Sequence, residues 1–332
     1  MKKVIVIAEA GVNHNGNLKI AKKLINVAKK ARADYVKFQI YKTENLISLN
    51  TKTAEYQKRN LGNKISQYEM LKKYELSKEN IKKLIKHSKK KKIKFLCSVF
   101  DIQSYQNLNE MNIFDIKIPS GEINNIPLLK KISLKAKKVF LSTGMATINE
   151  IAEAIKIFKK KINKNLYVLH CHSDYPTKYK DVNLSVMSFL KKKFKINVGY
   201  SDHTQGNIVG VSAASLGAEV IEKHFTLSKK MKGPDHKASL EPQELISFIK
   251  EIRKVETILG NKIKKISVAE KKNKKLVRKS IVAQKLIKKG EKFTNLNIEC
   301  KRPEGGLNPK YFNKVLGKKA KKEFLKDQKI YI

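Results

Sequence analysis

Eight short apolar runs recur along the first two-thirds of the chain, and polar residues follow each of them. The runs are Val4–Ala8, Tyr35–Phe38, Ile93–Leu96, Phe114–Ile118, Val139–Leu141, Leu166–Leu169, Ile196–Tyr200 and Glu219–Ile221. Val, Ile and Phe are frequent in them, as is typical of strands that are buried on both faces of a parallel sheet. The pattern therefore predicts eight buried parallel strands, each with polar residues at its end.

Segments of helical periodicity separate these runs. Leu18–Ala31 spaces its apolar residues three or four positions apart, as one face of a helix requires. Similar segments are Ile81–Lys89, Ser104–Met111, Ile148–Phe158, Leu184–Phe194 and Ile208–Leu216. Strands that alternate with helices over roughly 250 residues predict a closed (β/α)8 TIM barrel. The alternative is an open doubly wound sheet, but no G-x-G-x-x-G motif follows the first run to favour dinucleotide binding.

The pattern changes after Pro242–Leu259, which is the last helical segment of the predicted barrel. A lysine-rich stretch follows, and then short strands are indicated at Lys279–Ala283 and around Ile298. Glycines at positions 290, 305 and 306 indicate turns between them. We therefore predict a barrel domain over 1–261, a linker over 262–276 and a small β-rich domain over 277–332.

Composition narrows the class of protein further. No apolar run of the 332 residues is long enough to cross a bilayer, and Met1-Lys2-Lys3 leads straight into the first predicted strand, without a secretory signal. The three cysteines are far apart and lack metal-binding spacing. We therefore expect a protein of the reducing cytoplasm with no membrane partner.

The formal net charge of +44 makes a basic nucleic-acid-binding protein the alternative from another functional class. Only five of the 73 basic residues are arginine, the residue that reads nucleobases best. The lysines are spread along the chain instead of being gathered in one tail. We therefore expect no specific nucleic-acid partner, although the charge would attract anionic substrates.

Candidate site residues follow from the barrel, because the active site of this fold lies at the carboxyl ends of the strands. His203 and His224 follow the seventh and eighth runs, so they are expected to be neighbours. Two imidazoles that face one cavity can hold a divalent metal ion. The alternative is a pair of histidines that only donate and accept hydrogen bonds at the rim.

Ammonium and hydroxyl groups at the other strand ends suit a phosphate. These groups belong to Lys37, Lys117, Ser98, Ser120 and Ser142. Lysines are common throughout this chain, but these two lie inside predicted strands, where a solvated lysine is unexpected.

Three carboxylates complete the candidate set. Glu9 and Glu122 lie at strand ends and are candidates for an acid, a base or a ligand of hydroxyl groups. Asp235, in the loop after the eighth run, is a candidate for holding a polyol, and a plain turn residue is the alternative.

The order and spacing of motifs along the whole chain resemble those of the N-acetylneuraminate (sialic acid) synthase family. The motifs of the barrel are IAEAGVNHNG at 7–16, VKFQ at 36–39, KIPSGE at 117–122, LSTGM at 141–145, LHCHSDYPT at 169–177, GYSDHT at 199–204, EKHFT at 222–226 and GPDHKAS at 233–239. RKSIVA at 278–283, IKKGE at 287–291 and KRPEGG at 301–306 resemble the antifreeze-like (SAF) domain of that family.

The resemblance implies that phosphoenolpyruvate condenses with an open-chain N-acylated amino sugar to give a nine-carbon 2-keto acid and phosphate. It implies Mn²⁺ or Mg²⁺ on His203 and His224, and a catalytic Glu9 near C2 of phosphoenolpyruvate. The residues implied for phosphoenolpyruvate are Lys37, Gln39, Ser98, Lys117, Ser120, Ser142 and Ser173. Those implied for the sugar are Glu122, Tyr175, Asp235 and, from the partner subunit of a domain-swapped homodimer, Arg302.

The chain departs from the family pattern at three places. It has Ser98-Val99-Phe100 for the usual Thr-Pro-Phe, and 301–306 lacks the common Gly-Asn-Gly end. An asparagine usually contacts phosphoenolpyruvate where this chain has His172-Ser173-Asp174, which leaves open whether His172 or Ser173 replaces that contact. The expected acceptor is N-acetylmannosamine, which gives N-acetylneuraminate. The alternatives are 2,4-diacetamido-2,4,6-trideoxymannose, giving legionaminate, and a di-N-acetylated altrose, giving pseudaminate.

Overall fold

The computed structural model describes residues 3–49, 51, 66–261 and 263–331. The chain divides into two compact units, Met1–Gly260 and Asn261–Ile332. No helix among these described residues is long and apolar enough to cross a membrane.

The first unit is a closed barrel of eight strands in sequence order, and every neighbouring pair is parallel. The strands are β1 (Ile5–Gly11), β2 (Tyr35–Ile40), β3 (Lys94–Val99), β4 (Asp115–Ile118), β5 (Lys138–Ser142), β6 (Leu166–His170), β7 (Asn197–Asp202) and β8 (Val220–His224). The pairing of Ile5 with Val220 on β8 closes the barrel. The predicted (β/α)8 architecture is therefore confirmed.

Helices connect the strands and cover the barrel. They are α1 (Leu18–Lys30), α2 (Thr43–Leu46), α3 (Gln67–Tyr74), α4 (Lys78–Lys90), α5 (Ile102–Glu110), α6 (Ile126–Ser133), α7 (Ile148–Ile162), α8 (Ser185–Phe194), α9 (Ile208–Ser215) and α10 (Pro242–Leu259). Polar residues after the strands begin several of them. The Asp101 carboxylate, for example, accepts a hydrogen bond from the Ser104 amide at 2.8 Å and caps α5.

The strands extend further than the apolar runs indicated. Ser98, Ser142, Asp202 and His224 lie within strands, because backbone pairing to the neighbouring strands continues where hydrophobicity stops. Helix α6 was not predicted from periodicity. Asn125 caps it and Pro127 occupies its first turn, both of which are signals of a helix start.

Two apolar layers stabilise the barrel. The larger one lies between the strands and the surrounding helices. The smaller one fills the barrel interior and consists of Ile7, Tyr35, Leu96, Phe140, Leu169 and Val220, with Ile5 and Tyr167 packed against it. This interior layer closes the lower part of the barrel, so any cavity along its axis lies towards the carboxyl ends of the strands.

The second unit contains an antiparallel pair of strands, β9 (Ser280–Ala283) and β10 (Ile298–Lys301). Its own apolar core includes Ile281, Phe293, Ile298 and Phe324. Helix α11 (Val268–Val277) begins within the predicted linker of 262–276 and ends one residue beyond it, and helix α12 is Phe312–Val315. Ser267 and Glu270 form a capping box that begins α11, although none of its residues is buried.

Candidate active site

The polar site is built directly on the apolar layer inside the barrel. Side chains two residues apart on a strand point to the same face. Glu9 therefore follows Ile7 into the barrel interior, and Glu222 follows Val220. In the same way Lys37, Ser98 and Ser142 lie two positions beyond residues of the layer, and all of these polar residues are buried.

A cavity of about 420 Å³ opens at this level, at the carboxyl ends of the strands. Twelve of the predicted site residues line it: Glu9, Lys37, Gln39, Ser98, Lys117, Ser120, Glu122, Ser142, Ser173, Tyr175, His203 and His224. Asp235 lines a smaller adjoining cavity of about 70 Å³, which shares Gln39, Tyr175 and His224 with the first. Arg302 lies in the second unit, directly after β10, and is exposed.

Four buried charges meet on the floor of the cavity. The Lys37 ammonium lies 2.9 Å from Glu222 Oε2 and 3.5 Å from Glu9 Oε2. The Lys117 ammonium lies 3.5 Å from Glu222 Oε1. Burial of ions is costly unless they are paired, and here two cations and two carboxylates balance one another.

This arrangement affects the two carboxylates differently. Burial raises the pKa of Glu9 to about 7, although the Lys37 charge opposes the shift. Burial alone would raise the pKa of Glu222 too, but the charges of Lys117 and Lys37 hold it well below its usual value. Glu222 therefore stays ionised as the counter-ion of the lysines, whereas Glu9 can exchange a proton near neutral pH.

Sequence reasoning assigned no role to Glu222 or Ser201, and both line the cavity. The Ser201 hydroxyl donates a 2.9 Å hydrogen bond to Glu222 Oε1. The signal that would have found them is the period of two, since Ser201 precedes His203 by two positions and Glu222 precedes His224 likewise.

His203 and His224 are neighbours, as expected, with ring centroids 5.5 Å apart. The His172 carbonyl oxygen lies 2.7 Å from His203 Nδ1, which assigns the ring proton to Nδ1 and leaves Nε2 with a lone pair. Burial lowers the pKa of His203 to about 4 and that of His224 well below its usual value. Both rings are therefore neutral near pH 7, which is the form that binds metal ions.

The two histidines fit a metal site in which protein supplies only part of the coordination. Within the described residues, His224 Nδ1 is buried without a hydrogen-bond partner, and the nearest Asp235 oxygen is 3.9 Å away. No group of three or more His, Cys, Asp and Glu side chains in the described part of the chain is arranged to hold a metal ion. Oxygen atoms of water or substrate would have to complete the coordination.

Small hydroxyl groups line part of the cavity wall. The Gly144 amide donates to Ser120 Oγ at 3.0 Å, and a Cβ at position 144 would overlap the Ser173 hydroxyl. The buried Ser142 hydroxyl has no hydrogen-bond partner among the described residues. A buried polar atom without a partner is costly, so this wall suits a ligand that supplies hydrogen-bond acceptors.

Residues 172–174 contribute to the candidate active site through one backbone group and one side chain. His172 accepts the hydrogen bond from His203 through its carbonyl group, whereas Ser173 lines the cavity. Of the two residues that were candidates for replacing the usual asparagine, Ser173 is therefore the one that faces the site.

The β1–β2 pairing is irregular beside the charged floor. Glu9 pairs with Lys37, but Gly11 pairs with Phe38, so a bulge separates Glu9 from Gly11. Gly11 has φ +51°, and a Cβ there would lie 3.3 Å from Glu9 Oε1. Bulges redirect side chains next to active sites, and this one needs glycine for both its conformation and its space.

An ion pair on the outer face of the barrel supports the histidine strands. Lys223 Nζ lies 2.8 Å from Asp202 Oδ2 and 2.6 Å from the Thr204 carbonyl oxygen. The Asp202 carboxylate also accepts hydrogen bonds from the Thr204 amide and hydroxyl groups. His203 is therefore held between two residues that are fixed to β8.

Comparison with known proteins agrees with this site. Residues 24–264 match the NeuB family, and residues 278–331 match the SAF domain. The chain is 50% identical over 332 residues to N,N'-diacetyllegionaminic acid synthase of Campylobacter jejuni, with 99% of each chain covered. It is 42% identical to the Legionella pneumophila protein of the same name, with 94% of this chain and 89% of that one covered.

Among solved structures, the chain is similar to the N-acetylneuraminic acid (sialic acid) synthetase of Leptospira borgpetersenii serovar Hardjo-bovis. The TM-score is 0.74 at 35% identity, and the match covers 82% of this chain and 90% of that one. The two family matches and the relatives cover both domains. The chain therefore belongs to the NeuB family of sialic-acid-synthase-type enzymes and carries a SAF domain.

Proposed function

We propose that this enzyme condenses phosphoenolpyruvate with 2,4-diacetamido-2,4,6-trideoxymannose to form N,N'-diacetyllegionaminate and phosphate. The observation that carries the proposal is the single cavity in which two buried lysines, a neutral histidine pair and Glu9 lie together. Such a cavity offers separate places for a phosphorylated anion and for an aldehyde oxygen.

Phosphoenolpyruvate would occupy the side of Lys37 and Lys117. The ammonium groups attract its carboxylate and phosphate, and the hydroxyls of Ser120, Ser142 and Ser173 donate hydrogen bonds to the anionic oxygens. Gln39, Ser98 and these residues all line the same cavity, which supports their proposed role.

His203 and His224 would hold Mn²⁺ or Mg²⁺, in keeping with a family that is generally metal-dependent. When bound, the ion supplies Lewis-acid polarisation of the aldehyde oxygen of the sugar. The two rings meet this need as neutral ligands, and the carbonyl of His172 orients the first of them.

Glu9 would act at C2 of phosphoenolpyruvate. The C2=C3 electron pair forms the bond from C3 to the aldehyde carbon, and the aldehyde oxygen takes a proton to become a hydroxyl group. Positive charge develops at C2, and water adds there with loss of a proton. Cleavage of the bond between C2 and the phosphate oxygen then releases phosphate, which takes the proton of the C2 hydroxyl group, and leaves the 2-keto group. A carboxylate beside C2 stabilises that charge and orients the attacking water. With a pKa near 7, Glu9 can also accept a proton from the water at neutral pH.

Two features favour the diacetamido sugar over N-acetylmannosamine. The two relatives described above share the name of an N,N'-diacetyllegionaminic acid synthase. The cavity lining also includes five apolar side chains, those of Leu46, Ile47, Leu71, Phe100 and Met145. A sugar with a methyl group at C6 and a second acetamido group offers more apolar surface to such a lining than N-acetylmannosamine does.

Glu122, Tyr175 and Asp235 would bind the polar groups of the sugar. Asp235 adjoins His224, and the Tyr175 ring centroid lies 4.2 Å from that of His203, so both lie beside the proposed metal site. From the family resemblance we also propose that Arg302 of a partner subunit contacts an acyl group in a domain-swapped dimer. A cytoplasmic location remains part of the proposal.

The test is phosphate release from phosphoenolpyruvate with each of three purified acceptors: N-acetylmannosamine, the diacetamido mannose and the diacetamido altrose. We expect the highest kcat/KM with the diacetamido mannose, and no release by a Glu9→Gln control. Faster turnover of N-acetylmannosamine would refute the acceptor assignment. Absence of turnover with all three sugars would refute the proposed reaction.

A further inference from the structure

A second cavity lies at the opposite end of the barrel from the candidate active site. Its volume is about 510 Å³, which is within the usual range of small-molecule sites. It is lined by Tyr35 and Lys94, the first residues of β2 and β3, and by Phe114 and Lys137, which immediately precede β4 and β5. Because the strands are parallel, these amino-terminal ends face away from Lys37 and Lys117. The cavity is therefore separate from the candidate active site.

The inner surface of the cavity is apolar. Ile85 from α4 and Phe95 from β3 are buried there, and Ile93 and Ile113 extend the surface towards the opening. Flat or branched apolar groups fit a surface of this kind, because contact removes both surfaces from water.

Lysines surround the opening. Lys89, Lys92, Lys94 and Lys137 line it and are exposed, whereas Asp115 is the one acidic residue among the described lining residues. The Asp115 carboxylate already accepts a 2.7 Å hydrogen bond from the Tyr35 hydroxyl. The excess of cations therefore remains available to an anion that enters from solvent.

One buried hydroxyl in this cavity has no hydrogen-bond partner among the described residues. Ser88 lies on the inward face of α4 and is 1% exposed, and its Oγ makes no hydrogen bond within the described part of the chain. A buried hydroxyl without a partner is energetically unfavourable, so a ligand that forms a hydrogen bond to it gains affinity. This observation is independent of the lysines.

A second basic cavity of about 580 Å³ adjoins the first and shares Lys92 and Lys94 with it. Asp34 is its only acidic lining residue among those described, and it is already paired with Lys3 at 2.7 Å and Arg253 at 2.9 Å. An apolar chamber therefore adjoins a cationic one, and the two shared lysines mark the boundary.

We propose that the amino-terminal end of the barrel binds an aromatic organic anion. Its rings lie against Ile85, Phe95 and Ile113, and a polar ring substituent bonds to the Ser88 hydroxyl. Its phosphate, sulfonate or carboxylate lies between Lys92 and Lys94. This site is separate from the proposed reaction and does not depend on it.

The test uses 1-anilinonaphthalene-8-sulfonate as the probe, titrated by fluorescence into the full-length protein. We expect saturable binding of one probe per chain that excess phosphoenolpyruvate does not displace. The uncharged N-phenyl-1-naphthylamine should bind at least about tenfold more weakly, because it lacks the group that pairs with the lysines.

The double variant Lys92→Ala/Lys94→Ala should weaken probe binding about tenfold, whereas Lys159→Ala/Lys160→Ala on α7 should leave it unchanged. All four lysines are exposed, so their removal leaves the fold intact. Ile113→Trp should block binding by filling the apolar chamber. Equal affinity in the two double variants would overturn the proposal. Displacement of the probe by phosphoenolpyruvate would also overturn it, by placing the probe in the active-site cavity.

Discussion

The buried pair of Lys223 and Asp202 provides a quantitative test of how the histidine strands are held. Their charged atoms are 2.8 Å apart, and the side chains are 1% and 0% exposed. Lys223→Met keeps the apolar length of the side chain but removes the ammonium group. The buried Asp202 carboxylate then loses its counter-ion, and the Thr204 carbonyl loses a donor.

The expected loss of stability follows from these contacts. Removal of one partner of a buried ion pair typically costs about 3–5 kcal/mol. Asp202 Oδ1 keeps hydrogen bonds from the Thr204 amide at 2.9 Å and hydroxyl at 2.7 Å, which partly compensate. We therefore expect Lys223→Met to lower the free energy of unfolding of the barrel unit by about 3 kcal/mol, the lower end of this range.

The measurement is urea unfolding of wild type, Lys223→Met, Asp202→Asn and the double variant. The double variant should lose less stability than the sum of the losses in the two single variants. Each single variant leaves one buried charge without its counter-ion, whereas the double variant contains neither charge. The control is Lys191→Met, since Lys191 pairs with Glu219 at 3.1 Å but is 52% exposed. That exposed pair should contribute less than about 1 kcal/mol. Equal losses for Lys223→Met and Lys191→Met would refute the reasoning from burial.

Three further predictions concern the candidate site. His224→Ala should reduce metal-dependent turnover at least about 100-fold, since loss of even an outer partner of a metal ligand costs about 10–100-fold; unchanged Mn²⁺ binding by calorimetry would contradict the metal assignment. Gly144→Ala should raise KM for phosphoenolpyruvate about 10–100-fold, because its Cβ displaces the hydroxyl wall. A KM for phosphoenolpyruvate equal to that of the wild type would exclude this effect. Arg302→Ala should raise KM for the sugar more than KM for phosphoenolpyruvate, and the opposite ranking in steady-state kinetics would argue against the acyl contact.

Much of the site was predictable because it depends on local periodicity. Lys37 and Glu9 follow apolar residues in short strands, and parallel strands bring such ends to one edge. Periodicity did not show how the charges pair. Lys37 and Glu222 are far apart in sequence and lie 2.9 Å apart only because closure of the barrel brings β2 and β8 around the same interior.

The amino-acid sequence by itself determined the alternation of strands and helices, the change of hydrophobic pattern after the last barrel helix, and the chemical groups at the strand ends. These features depend on hydrophobic periodicity and residue type, which are local properties. Only the tertiary structure decided that Glu222 faces the interior while Lys223 faces the helices, and that Ser173 faces the cavity. The two-residue repeat of a strand tells which side chains share a face. The register that barrel closure imposes decides which of the two faces points inside.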